Sequence, residues 1–118
     1  MSDAKSDSWV FDVDLAGFDE KVLAASEDKP VLIDLWAEWC APCLVVAPLL
    51  KQVVDEYGGK ISLAKIEVDE DENMKLAGRY RVRGFPTIIL ISNGDEVARF
   101  SGAKPLPFIR DFIDQNLS

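Results

Sequence analysis

Hydrophobic residues recur along the chain with two spacings, one typical of β-strands and one typical of α-helices. Residues 31–37 form a short, nearly unbroken apolar run, typical of a strand buried on both faces. From about residue 40 to residue 57 the apolar positions recur at helical spacing, and Gly58-Gly59 ends that pattern. The same spacings predict strands at 8–13, 61–68, 87–91 and 96–101, helices at 15–25 and 72–80, and a final helix whose apolar face is Phe108, Ile109, Phe112, Ile113 and Leu117.

The predicted elements follow one another in the order βαβαβα and then ββα. The alternating first part requires crossover connections and some parallel pairing, whereas Asn93-Gly94 between the last two strands is a hairpin signal. We therefore predict an α/β fold with a mixed central sheet flanked by helices. The 118 residues, 48% of them apolar, suffice for one domain over residues 8–118, and the polar residues 1–7 are expected to be a flexible segment.

The chain is acidic and has no histidine, with 13 basic and 21 acidic residues and a net charge of −8. Nucleic acids and anionic membranes are therefore poor partner predictions, because both require a basic surface. The lack of histidine excludes Ser-His and Cys-His catalysis and histidine-based zinc motifs, and two cysteines cannot close a zinc site within one chain. No apolar run is long enough to span a membrane and no secretory signal is present, so we expect a cytoplasmic protein.

The most informative stretch is Trp39-Cys40-Ala41-Pro42-Cys43, which follows a predicted buried strand and opens a long helix. Residues three apart on a helix are close enough for a disulfide. Cys40 lies at the helix N-terminus, where free N–H groups and the helix dipole stabilise a thiolate and lower the pKa of the thiol. We therefore expect Cys40 to attack a substrate disulfide and the less exposed Cys43 to resolve the mixed disulfide.

Two other interpretations of the cysteine pair remain open. A purely structural disulfide would close only a four-residue loop, which removes little chain entropy, and such bonds are rare in the cytosol. Half of a zinc site completed by a second chain is the other alternative.

The residues around this motif resemble the thioredoxin family. The matching stretches run from Phe18 to the C-terminus and include residues 31–40, Cys43, Pro48, Ala64-Lys65, residues 83–87, Asn93-Gly94 and Gly102-Ala103. The resemblance implies a thioredoxin fold that reduces disulfide-containing protein substrates as a monomer and binds no cofactor. It also implies that the Cys40–Cys43 disulfide is recycled by thioredoxin reductase, a flavoprotein that uses NADPH.

Further site residues follow from the residues and from the resemblance together. Asp34 lies within an apolar strand, where burial would raise its pKa and make it a candidate base near Cys43. Lys65 in the next strand is a candidate partner for it, and an ordinary outward-facing lysine is the alternative that remains open. The resemblance implies a cis bond before Pro86, beside the cysteines. By strand alternation Trp36 is expected in the core. Substrate contacts are expected from Trp39, Ala41, Pro42, Phe85, Pro86 and Gly102.

Two positions depart from the usual pattern of the family, which has glycine in place of Ala41 and lysine in place of Leu44. Leu44 lies about 150° from the centre of the apolar face of its helix, so we expect it to be exposed. The acidic run 67–72 is interpreted as a solvated turn and helix start.

The leading function is a general protein-disulfide reductase. The alternative is a chaperone or assembly module with secondary redox activity, which exposed apolar residues after Cys43 would favour. A periplasmic oxidant or isomerase would need an export signal.

Overall fold

The computed structural model describes residues 9–117, which form one five-stranded sheet with four helices. The expectation of a flexible segment at residues 1–7 lies outside the described residues, as does Ser8. The strands are β1 (Val10–Asp12), β2 (Val31–Trp36), β3 (Ser62–Glu67), β4 (Thr87–Ser92) and β5 (Asp95–Ser101). Their order in the sheet is β1-β3-β2-β4-β5.

The pairing of the strands confirms the predicted mixed sheet. β3 runs parallel to both β1 and β2, whereas β4 runs antiparallel to β2 and to β5. The turn between β4 and β5 contains Asn93 and Gly94 with φ angles of 52° and 81°. Two consecutive positive φ angles give the turn whose twist matches that of a two-stranded hairpin, which is why asparagine and glycine occupy it.

The helices are α1 (Leu15–Phe18), α2 (Ala41–Glu56), α3 (Met74–Arg79) and α4 (Leu106–Leu117). The helix predicted over 15–25 is present but is not regular, because α1 continues as a π-helical segment (Asp19–Ala24) and a 3₁₀ turn (Ala25–Glu27). Phe18, Val22 and Ser26 are all buried. This spacing of four exceeds the 3.6 residues of an α-helical turn, and a locally widened helix keeps such residues on one face.

Each face of the sheet is covered by its own helices. Ile33 and Leu35 of β2 pack with α1 and α3, whereas Leu32 packs with the buried sides of α2 and α4. This double burial explains the nearly unbroken apolar run in the sequence. Because side chains alternate along a strand, Asp34 lies on the same face as Leu32, under α2 and α4.

The last helix buries fewer residues than predicted. Ile109, Phe112 and Ile113 are buried, whereas Phe108 and Leu117 are exposed. On an α-helix, Phe108 and Leu117 lie about 90° to either side of the centre of the buried stripe, so they form its edges. Phe108 still contacts the ring of Phe100 edge to face, with ring centroids 5.3 Å apart.

Candidate active site

The two cysteines lie where β2 ends and α2 begins. Cys40 is the residue that caps α2, with extended backbone angles, and its Sγ accepts a hydrogen bond from the N–H of Cys43 at 3.3 Å. The carbonyl of Cys40 also accepts the N–H groups of Cys43 and Leu44. The two cysteines form a disulfide with their Cα atoms 5.3 Å apart, so the chain is in its oxidised state.

The position of Cys40 favours its thiolate after reduction. The N–H group that bonds its Sγ belongs to the first turn of α2, where the helix has unpaired donors and the positive end of its dipole. Cys40 is 5% exposed and Cys43 is 1% exposed. The order of exposure agrees with an attacking Cys40 and a more protected Cys43.

The loop before β4 contains a cis peptide bond between Phe85 and Pro86, as the resemblance implies. Thr87 Oγ1 donates a hydrogen bond to the carbonyl of Gly84 at 2.6 Å, and Gly102 N–H donates one to the carbonyl of Pro86 at 3.0 Å. Gly102 has a φ of 87°, which favours glycine. Together these contacts fix the proline loop from both sides.

Trp39 joins the cysteine motif to the proline loop. Its ring meets that of Phe85 edge to face, with centroids 6.0 Å apart, although 67% of Trp39 is exposed. Its Nε1 donates a 2.6 Å hydrogen bond to Asp69 Oδ2, 30 residues away in the chain. The sequence interpretation missed Asp69. The available signal was its position just after β3, because the parallel strands β2 and β3 end at the same edge of the sheet and Trp39 follows β2 there.

The acidic run after β3 forms an exposed turn at residues 69–72, as predicted, and the buried Asn73 that follows it anchors the turn. Asn73 is buried, accepts the N–H of Leu15 at 2.8 Å and donates to the carbonyl of Glu67 at 2.9 Å. Helix α3 therefore begins only at Met74, rather than at residue 72 as predicted, because the side chain of Asn73 ties this loop to α1 and to the end of β3.

Asp34 is buried in β2, and neither of its carboxyl oxygens has a hydrogen-bond partner among residues 9–117. Burial raises the pKa of Asp34 to about 7, and the positive charge of Lys65 opposes that rise. Lys65 is the register partner of Asp34 on β3 and Ile88 is its partner on β4. An acid with a pKa near 7 can both accept and donate a proton at neutral pH.

The ammonium group of Lys65 does not bond to Asp34 but lies over the ring of Trp36, 5.3 Å from the ring centroid. Trp36 is half-buried rather than fully in the core as predicted, because it is the last residue of β2 and borders a cavity of about 370 Å³. Its buried Nε1 has no hydrogen-bond partner in the described part of the chain.

The first turn of α2 exposes apolar side chains beside the disulfide. Leu44 is 53% exposed and Val45 is 59% exposed, which confirms the predicted exposure of Leu44. Ala41 and Pro42 are exposed as well. Ala41 is the first helical residue, a position without a positive φ, so the chain needs no glycine there.

Over residues 9–117 no group of three or more His, Cys, Asp or Glu side chains is arranged to hold a metal ion. None of the helices within that span combines the length and the apolar character that crossing a bilayer requires.

Comparison with known proteins gives concordant matches. The family model described as Thioredoxin matches residues 10–115. A thioredoxin of Chlorobaculum thiosulfatiphilum is 42% identical over 90 residues, covering 76% of this chain and 82% of that protein. A thioredoxin of Pseudomonas aeruginosa is 41% identical over 102 residues, covering 86% and 91%. A bifunctional thioredoxin reductase/thioredoxin of Mycobacterium leprae is 40% identical over 115 residues, covering 97% of this chain and 24% of that protein.

Proposed function

We propose roles for the active-site residues from one premise: the chain belongs to the thioredoxin family and is a protein-disulfide oxidoreductase. The thiolate of Cys40 attacks one sulfur of a substrate disulfide, which forms a mixed disulfide and releases the other substrate sulfur as a thiolate. Cys43 then attacks the sulfur of Cys40, which releases the second substrate thiolate and leaves the Cys40–Cys43 disulfide. Two electrons pass from the protein dithiol to the substrate.

The observation that carries this assignment is the cap of α2. Cys40 Sγ accepts the N–H of Cys43, so the sulfur already occupies the site where a negative charge is stabilised. Cys43 lies one helical turn further on, within reach of Cys40 and less exposed to solvent. A purely structural disulfide, or half of a zinc site shared with a second chain, would give this capping position of Cys40 no function.

We propose that Asp34 takes the proton from Cys43 in the second step. Asp34 lies on the face of the sheet that α2 covers, and α2 carries Cys43 in its first turn. With a pKa near 7, the carboxylate is a strong enough base to assist a thiol and is still partly ionised at neutral pH. Lys65 assists by its charge, which favours the ionised form of Asp34.

The surface proposed to receive the substrate surrounds the disulfide. It combines the exposed indole of Trp39, the first helical residues Ala41 and Pro42, the proline loop of Phe85 and Pro86, and the backbone of Gly102.

We propose that a thioredoxin reductase returns electrons from NADPH to the Cys40–Cys43 disulfide, so that this chain itself needs no bound cofactor. The relative from Mycobacterium leprae supports such a partnership, because its name joins a thioredoxin reductase to a thioredoxin in one protein. A monomer in the cytoplasm, where NADPH is available, is the working form we propose.

The decisive experiment is the reduction of insulin with NADPH and a thioredoxin reductase. We expect NADPH consumption coupled to insulin reduction, with none from the matched control that carries both Cys40→Ser and Cys43→Ser. If the wild-type chain is folded but consumes no NADPH, and dithiothreitol-driven insulin reduction is also absent, the reductase assignment is wrong.

A second candidate is a binding module for unfolded proteins, which the exposed side chains of Leu44 and Val45 favour. The double-serine variant separates the two functions, because it keeps the apolar surface and lacks the thiols. If this variant suppresses the aggregation of unfolded client proteins, the binding module is supported. If the variant does not suppress aggregation, only the redox function remains.

A further inference from the structure

One cross-strand row of the sheet carries two acids with a lysine between them. Lys65 of β3 is in register with Asp12 of β1 on one side and with Asp34 of β2 on the other. The two acids differ in environment, because Asp12 is exposed and Asp34 is buried. A flexible lysine in this position can direct its ammonium group towards either side.

The structure shows which side the ammonium group takes. It lies 5.3 Å from the centroid of the Trp36 ring, at a distance typical of a cation–π interaction, and Asp34 receives no hydrogen bond from it. Lys65 and Trp36 both border the 370 Å³ cavity, whereas Asp34 is not among the residues that line it. The carboxylates that border this cavity are Asp12, Asp14, Glu67, Glu70 and Asp71, and Lys21 is the other cation there.

The other neighbours of Asp34 bring no competing charge. Its partner on β4 is Ile88, and the buried side chains of α2 are Cys43 and the apolar residues Val46, Leu50, Val53 and Val54. In the oxidised chain Cys43 does not titrate, so Lys65 is the one charged group that acts on Asp34 among the described residues. Burial sets the raised pKa of Asp34, and the distance to Lys65 determines how far the lysine charge lowers it.

We propose that Trp36 is a positioning residue, whose indole face holds the Lys65 ammonium group on the cavity side and keeps it from pairing with Asp34. This inference rests on the proposed role of Asp34 as the base. A direct ion pair would fix Asp34 as a permanent carboxylate and weaken it as a base, because an opposite charge in contact favours the ionised form. Trp36 thus preserves the ability of Asp34 to exchange a proton at neutral pH.

The test is the titration of the Asp34 carboxyl carbon by ¹³C NMR in the oxidised protein, where the cysteines do not titrate. Trp36→Leu keeps an apolar side chain and removes the aromatic face, so Lys65 becomes free to approach Asp34. We expect the pKa of Asp34 to fall by about one unit, at the lower end of what a charge partner within contact distance produces.

Water that enters beside a smaller side chain would also lower the pKa of Asp34, and a double-mutant cycle separates the two causes. Lys65→Met removes the charge and keeps a long side chain. We expect Trp36→Leu to have no effect on Asp34 in the Lys65→Met background. A fall of equal size in both backgrounds, or no fall with Lys65 present, would overturn the proposal.

Trp36→Phe is a second variant, because phenylalanine keeps an aromatic face while removing part of the indole. We expect its shift to be clearly smaller than that of Trp36→Leu and to vanish in the Lys65→Met background. A shift as large as that of Trp36→Leu, or one that persists without Lys65, would count against the proposal. If the leucine variant does not fold, the Trp36→Phe pair with and without Lys65→Met decides, since any shift it shows must depend on Lys65. These titrations need no turnover, so they stand even if Asp34 proves dispensable for the rate of disulfide exchange.

Discussion

In the later turns of α2, Val46, Leu50 and Val53 are fully buried, whereas in its first turn Leu44 and Val45 expose more than half of their side chains. The polar groups differ in the same way. At the carboxyl end of α2, Glu56 accepts two hydrogen bonds from Arg110, at 2.9 and 2.7 Å. In the sheet beneath α2, the carboxyl group of Asp34 is buried without a hydrogen-bond partner in the described chain.

This difference separates the stabilising part of the molecule from its reactive part. Apolar burial and paired polar groups at the carboxyl end of α2 favour the folded state. An exposed leucine contributes little to stability and an unpaired buried acid opposes it. A single helix can combine both ends because the packing of its later turns holds the first turn, and with it Cys40, in position. Substitutions at the two ends should therefore change different properties.

The largest effect is expected at the cap itself. Cys40→Ser should reduce disulfide-exchange activity to the uncatalysed background, because it removes the attacking sulfur. Cys43→Ser should leave the attack intact and accumulate mixed disulfides with substrate proteins, since no thiol remains to resolve them. Non-reducing gels and mass spectrometry detect the adducts. Adducts from Cys40→Ser and none from Cys43→Ser would show that the two roles are reversed.

The next effect in size is expected in the later turns. Leu50→Ala should lower the free energy of unfolding by about 2–5 kcal/mol, because it leaves a cavity in the core beneath α2. Urea denaturation measures this change, and insulin reduction per folded molecule should stay close to wild type. Leu44→Ala is the matched control in the first turn, where a change within about 0.5 kcal/mol is expected. Equal losses at both positions would remove the distinction between the two ends.

Asp34 should make the stability of the domain depend on pH. Its pKa of about 7 in the folded state exceeds the ordinary aspartate value of 3.8. The cost of burying Asp34 is therefore absent below the ordinary pKa, grows as the pH rises towards 7 and is constant above it. Asp34→Ala should stabilise the domain relative to wild type, and that advantage should grow by about 2–3 kcal/mol between pH 5 and pH 8.

Urea denaturation at several pH values tests this expectation, with Asp28→Ala as the control for an exposed acid. An advantage of Asp34→Ala that does not change with pH would contradict the burial of an ionisable group. The same variant should slow insulin reduction most near neutral pH. Rate profiles that superimpose on those of wild type would exclude Asp34 as the base.

The smallest effect is expected from Leu44→Lys. The melting temperature should remain nearly unchanged, because the side chain is exposed and contributes little to packing. The ratio of kcat/KM between the reductase and substrate proteins should shift about two- to fivefold, the size expected for one charge at the rim of an interface. Val45→Lys is the neighbouring control. A loss of several kcal/mol in stability would show that Leu44 belongs to the core.

Most of the fold could be predicted because its signals are local. The burial of β2 follows from its composition, the start of α2 follows from the motif and its helical spacing, and the hairpin follows from Asn93-Gly94. The π-helical and 3₁₀ segments after α1 could not be predicted with the same rules, because the buried residues Phe18, Val22 and Ser26 recur every four positions and the regular α-helical period was assumed. The exposed edges of α4 were missed because a helical pattern defines an apolar stripe but not its width.

Contacts between distant segments depended on the tertiary structure. Trp39 and Asp69 are 30 residues apart and meet only because the parallel strands β2 and β3 end at the same edge. Lys65 was expected to pair with Asp34, and their register is as expected, but the ammonium group lies over Trp36 instead. The position of the Lys65 ammonium group depends on the cavity beside it. That cavity forms only in the folded protein, so the spacing of residues along the chain does not describe it.

The order of the elements, the redox-active pair and its position at a helix N-terminus follow from local sequence, since each depends on residues within a few positions of one another. The environment of Asp34, the hydrogen bond that fixes Trp39 and the position of the Lys65 ammonium group follow from the folded structure. These depend on burial and on distances between strands, and such quantities exist only once the sheet has brought separate parts of the chain together.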